Sequence, residues 1–155
     1  MSRSRTSAGI LLYRTRPNGL EVLLAHPGGP FHARKDAGAW TIPKGEVEPD
    51  EGLLAVARRE FEEETGHPVP AEESLRELGS IRQKGGKVVH AWASPGDADP
   101  AQVRSNTVQI EWPPHSGRSL EVPEVDRCAW FDVSAARTQI KDTQIPLLDR
   151  LEELA

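Results

Sequence analysis

Residues 45–66 read GEVEPDEGLLAVARREFEEETG, and the spacing inside this stretch decides what the rest of the chain must fold around. Asp50 offers an N-cap, Gly66 a stop, and the residues between are good helix formers with no proline after Pro49; the stretch predicts a helix from near Asp50 to Gly66. Leu54, Ala57 and Phe61 line up on one side, the side expected to pack on a sheet. Glu60, Glu63 and Glu64 follow Arg59 and fall within about a third of the helix circumference. Three like charges so placed repel and weaken the helix unless something neutralises them. Two readings stay open: a solvated acidic face, or carboxylates gathered for a hard divalent cation. Mg²⁺ suits the second, because it accepts carboxylates and keeps waters and substrate phosphates as its other ligands.

Gly45, five residues, Glu51, seven residues, then Arg59-Glu60-Phe61-x-Glu63-Glu64-x-Gly66 resembles the signature of the Nudix hydrolases. Every fixed glycine and charged position of that pattern is met. Phe61 stands where the family has an aliphatic residue, and His67 where it has an apolar one. The resemblance implies an α/β fold, an α/β/α sandwich with a mixed β-sheet. It also implies hydrolysis of a phosphoanhydride with Mg²⁺ as cofactor, for which Mn²⁺ substitutes.

The remainder of the chain is read in the same way. At 155 residues, with 37% hydrophobic residues and four Trp, it is long enough for one domain, residues 1–155, with a sizeable core. No apolar run approaches a membrane span, and MSRSRTSAG at the N-terminus lacks the apolar segment of a leader. The single cysteine, Cys128, suits a reducing cytoplasm, and its strand-like setting (Cys128-Ala129-Trp130-Phe131) makes it a core residue rather than a nucleophile. A net charge of −5 counts against nucleic acid as a partner. The expected partner is a phosphorylated small molecule, met by a cytoplasmic monomer or homodimer.

Strands are expected over residues 7–14 and 21–26, joined through Asn18-Gly19, then over 75–83 and 87–93 around Gly85-Gly86. Further strands are expected at 107–112 and 127–131, bracketing a proline-rich excursion over 113–123. Helical periodicity over 132–140 and 143–154 closes the domain, with Pro146 in a first turn.

By the family resemblance, Glu60 and Glu64 are the principal metal ligands, joined by the Gly45 carbonyl; Glu63 assists as a ligand or as a partner of Arg59. Arg59 orients the glutamates by a two-pronged pairing that Lys does not reproduce, and Glu51 holds Arg59 or a metal-bound water. Glu124, six residues before Trp130, resembles a late loop glutamate of the family that binds metal or takes a proton from the attacking water. Glu121 and Asp126 stand close enough to be confused with it, and all three also read as solvated loop acids.

The lead-in Trp40-Thr41-Ile42-Pro43-Lys44-Gly45 resembles that of hydrolases acting on dinucleoside polyphosphates or diphosphoinositol polyphosphates. Lys44 is then a point charge on a phosphate, and Trp40 contacts substrate or packs under the loop. His32, Arg34 and Lys35 are candidate phosphate contacts, or simply loop-solubilising residues. Phe31 and His32 stack on a nucleobase or anchor the loop. Arg82, Lys84 and Lys87 cluster about the second hairpin. His26 and His115 have no companions at metal spacing, which argues against zinc, and His90 reads as a satisfied strand histidine. The leading substrate is a dinucleoside polyphosphate. Alternatives are a nucleoside triphosphate, an inositol pyrophosphate, an RNA 5′ end, or a non-catalytic sensing role.

Overall fold

Two long apolar runs near the N-terminus set the centre of the molecule. A computed structural model describes residues 5–155; the first four residues of the stretch read above as lacking a leader lie outside it. The strands are β1 (Thr6–Arg16), β2 (Gly19–Pro27), β3 (Lys44–Glu46), β4 (Arg76–Arg82), β5 (Val88–Pro95), β6 (Thr107–Glu111), β7 (Ser119–Pro123) and β8 (Val125–Asp132). The helices are α1 (Leu53–Thr65), α2 (Val133–Gln139) and α3 (Ile145–Leu154). The main sheet runs β4-β5-β1-β2-β8, with β3 also paired to β1. β1 and β5 are parallel and the other pairings antiparallel, so the sheet is mixed.

Both faces of this sheet are covered, and the two-residue period of the strands shows how. On β1, Ala8, Ile10 and Leu12 join Leu23 and Ala25 of β2 in a core beneath Val56, Ala57 and Phe61 of α1. The intervening Leu11, with Val22 and Leu24, faces the opposite core under Ala136, Leu147, Leu148 and Leu151 of the C-terminal helices and Ile140 between them. A strand buried on both faces reads as a continuous apolar run, which is what the first two strands show. The arrangement is the α/β/α sandwich expected.

Several boundaries differ from expectation. The cap of α1 is Gly52, with no side-chain hydrogen bond, and not Asp50. Instead the Glu51 carboxylate turns back to accept the Glu48 N–H at 3.1 Å, closing the turn that feeds the helix. Gly66 ends α1 as foreseen, at φ 74, a conformation that glycine adopts without penalty. Leu54 is only half-buried, whereas Val56 is fully buried, so the sheet-facing stripe is set by Val56, Ala57 and Phe61. The β1–β2 turn consists of Pro17 and Asn18, with Gly19 already opposite Arg16 in the ladder. The proline-rich excursion holds a strand: β7 pairs antiparallel with β6 in a ribbon separate from the main sheet, Val108 opposite Val122 and Ile110 opposite Leu120. Pro146 lies in the first turn of α3 as expected, and Asp132 caps α2 by accepting the Ala135 N–H at 2.7 Å. Cys128 is buried, and burial pushes its thiol up to about 12.

Candidate active site

The helix that packs on the sheet also carries the acids, and one ridge does both jobs. Val56, Glu60 and Glu64 are spaced i, i+4, i+8 and so follow one line along α1. Val56 ends that line in the apolar core, while Glu60 and Glu64, 9% and 5% exposed, are drawn under the sheet edge with it. Opposite them β3 is pinned to β1, Gly45 across from Ala8. A side chain at Gly45 has no room: a Cβ there meets the Glu60 carboxylate Oε1 at 2.0 Å. The backbone N–H of Lys44 donates to Glu64 Oε1 at 3.2 Å.

Glu124, just before β8, completes the cluster: Glu60, Glu64 and Glu124 each offer a carboxylate oxygen, all within 4.8 Å of one another. Its position is stapled from two sides. The Glu124 N–H donates to the Asn106 carbonyl at 2.9 Å, and the Asn106 N–H donates to the Glu63 carbonyl of α1 at 2.8 Å. The Gly28 N–H donates to the Glu124 carbonyl at 3.0 Å. Of the neighbouring acids, Asp126 bonds His26 and Glu121 accepts from Thr107, so neither enters the cluster.

Crowded carboxylates withdrawn from water hold their protons. Burial, with Glu63 and Glu124 adding repulsion, pushes Glu60 up to about 7. Burial and Glu124 push Glu64 up to about 9. The same setting is favourable once a divalent cation neutralises it. Three oxygen donors from carboxylates fit a hard ion such as Mg²⁺ and offer nothing to a soft one.

Arg59 organises the rim. Its guanidinium is paired with Glu51, lies 3.6 Å from Glu60 Oε2, and its Nε is 3.8 Å from Glu63 Oε1. The hydrogen bond from Arg59 holds Glu51 below the usual carboxylate range. Glu63 is 42% exposed at its side chain and stands beside the cluster, facing a polar cleft of about 470 Å³. Ser7, Lys44, Lys87, Arg59, Asn106 and Glu124 also line that cleft. Burial lowers the Lys44 ammonium, with Glu64 acting the other way.

The loop residues separate into two groups. Trp40 is 3% exposed; its indole N–H donates to Asp36 at 2.8 Å, and its ring packs edge-on against His26 and Phe131. It supports the loop from below and presents no face to a ligand, because the adjoining strand pairing turns it into the core. Arg34 and Lys35 are exposed outside the polar cleft, and the Lys35 ammonium sits 3.7 Å from the centroid of the Phe31 ring. His32 is half-buried; burial first, then the Lys35 charge, lowers its imidazole. His26, given no role from sequence, is fully buried and bridges Asp126 Oδ1 at 2.9 Å and the Lys35 carbonyl at 2.6 Å. It ties the loop to the strand that follows Glu124. No local pattern announces it, since its carboxylate partner is 100 residues away. Asn106 escaped notice for the same reason: its bonds are made by the backbone, which leaves no mark in residue type.

The NUDIX domain family model matches residues 3–151. No curated protein matches the chain. Among solved structures, a C. elegans Ap4A hydrolase binary complex is similar at 24% identity and a TM-score of 0.63, over 96% of each chain. The NUDIX domain of Shewanella oneidensis NrtR, complexed with ADP ribose, is similar at 17% identity and a TM-score of 0.65, over 99% of this chain and 90% of that one. A MutT protein from Methanosarcina mazei Go1 is similar at 23% identity and a TM-score of 0.61, over 96% of this chain and 93% of that one. At these identities the likeness is one of fold.

Proposed function

The chain belongs to the NUDIX domain family, and from that membership we propose a Mg²⁺-dependent hydrolase, one domain over residues 1–155, that cleaves a phosphoanhydride in a nucleoside diphosphate linked to a further group. Dinucleoside polyphosphates are its leading substrates. The observation that carries this reading is the convergence of Glu60, Glu64 and Glu124 within 4.8 Å, with Glu60 and Glu124 lining a polar cleft. Family membership makes the chain a pyrophosphohydrolase; the substrate and the ion are our inference. The Trp40–Gly45 lead-in supports the dinucleoside choice, as does the fold likeness to an Ap4A hydrolase and to a domain complexed with ADP ribose. Ap4A and ADP ribose are both nucleoside diphosphates with a further group attached.

A bound divalent ion screens the phosphate charges and lowers the pKa of water, the chemistry an anhydride needs from it. The chain supplies the rest. Glu60, Glu64 and Glu124 hold the ion, with the Gly45 carbonyl beside them. Arg59 keeps Glu51, Glu60 and Glu63 in register through one rigid fork. Glu63, exposed to the cleft and 3.8 Å from Arg59 Nε, accepts the proton of the attacking water. Lys44 and Lys87 face the phosphates from the cleft wall.

The test is product release from a panel of dinucleoside tri- to hexaphosphates, nucleoside triphosphates, nucleotide sugars and inositol pyrophosphates, with Mg²⁺ or Mn²⁺. Wild type prefers dinucleoside polyphosphates, and Glu64→Gln loses at least a hundredfold in kcat while keeping its fold. Equal turnover by the two proteins removes Glu64 from the ligand set; no turnover by either removes the hydrolase reading.

A further inference from the structure

The carboxylate cluster has a second, chemically opposite neighbour. Between residues 27–32 and the β6–β7 ribbon lies a cleft of about 430 Å³, lined by Phe31, Val108, Ile110, Trp112 and Val122 among others. It shares Glu124 with the polar cleft, so the two lie on either side of that residue. Their relation is rigid. Gly28 donates its N–H to the Glu124 carbonyl, and a Cβ at Gly28 meets the Pro123 carbonyl oxygen at 1.9 Å. The loop wall therefore lies directly on the segment that delivers the third carboxylate.

We infer that this cleft seats the nucleobase of the substrate, making the ribbon and Phe31 the specificity element of the enzyme. The assignment rests on the hydrolase reading, since it takes the phosphates to lie at the cluster. Phe31 is 58% exposed, so its ring is open to a ligand. Its ring, backed by the Lys35 ammonium, is a ready stacking surface, and base stacking on such a ring tolerates any base. Among the described residues no lysine or arginine lines the cleft itself, and the nearby Lys35 ammonium is held against the Phe31 ring. Of its ionisable lining groups, Glu111 is occupied by the N–H groups of His115 and Gly117, which leaves His32 and Glu124. A wall without cations rejects a ring carrying phosphates, such as an inositol polyphosphate, and accepts an uncharged planar one. His32, packed edge-on against Phe31, is placed to hydrogen-bond the edge of the base.

The test compares two substrates that differ by the whole nucleoside, ATP and inorganic tripolyphosphate, on wild type, Phe31→Ala, Phe31→Trp and Ile110→Asp, with circular dichroism to check folding. Phe31→Ala and Ile110→Asp raise KM for ATP tenfold or more with kcat within about twofold. Phe31→Trp restores KM, and tripolyphosphate hydrolysis is the same in all four. An unchanged KM for ATP, or a parallel loss on tripolyphosphate, overturns the assignment. Should wild type cleave neither compound, equilibrium dialysis of ADP and pyrophosphate with Ca²⁺ decides the cleft, while turnover of the dinucleoside polyphosphates decides the hydrolase reading separately. ADP binding weakened by Phe31→Ala, with pyrophosphate binding unchanged, upholds it; equal ADP binding by both proteins, or none by wild type, overturns it.

Discussion

At the scale of a residue, the site depends on one missing side chain as much as on the acids present. Gly45 lets the Glu60 carboxylate lie against the β3 backbone, at 2.0 Å from where a Cβ stands in any other residue. Gly45→Ala therefore forces Glu60 or β3 aside, and we expect a hundredfold or greater fall in kcat/KM with Mg²⁺ titrating at least tenfold more weakly. Kinetics across a Mg²⁺ series check this; wild-type metal dependence in the variant would show that Glu60 is not held where we place it. The glutamates themselves were legible from their spacing on a helix. The late acid was legible as Glu124 from its place six residues before Trp130, with Glu121 and Asp126 near enough to be confused with it because the three are alike in type. Strand register, which sends Asp126 to His26 and Glu121 to Thr107, takes the other two out of the cluster.

At the scale of an element, α1 is both a packing helix and the bearer of the site, so its seating on the sheet sets the carboxylate geometry. Phe61 is 1% exposed, and its truncation to Ala should cost about 3–5 kcal/mol of stability. In denaturant titrations that loss appears as a lower midpoint with an unchanged slope. A loss under about 1 kcal/mol would mean that the core beneath α1 closes around the gap. Helices and long strands were readable because their periods are local. The helix start was missed by two residues since the Glu51 carboxylate is drawn off to Glu48 and Arg59, and β7 was missed since its pairing partner alone makes it a strand.

At the scale of the whole molecule, the buried acids tie stability to pH and to metal. Glu60 and Glu64 ionise at about 7 and about 9 in the fold, against an ordinary value of 4.5. Between those values the native chain keeps protons that the unfolded chain has released, so this part of the stability falls as pH rises from about 4.5 to 9. Glu51 and Asp97, whose values are lowered by their arginine partners, act at the acid end in the opposite sense. The difference between wild type and Glu64→Gln isolates the site. In chelator, wild type loses Tm relative to the variant as pH rises from 5 to 9. With Mg²⁺ the wild type regains it, most at high pH. A difference flat with pH and metal would show that Glu64 is not buried among like charges. The sequence alone determined the helix with its acids, the apolar strands and the family pattern, because each is written in neighbours a few residues apart. Only the tertiary structure decided that Glu124 joins Glu60 and Glu64, that His26 and Asn106 brace the site, and that Trp40 is core. Those facts rest on contacts between segments far apart in the chain, whose register no local pattern records.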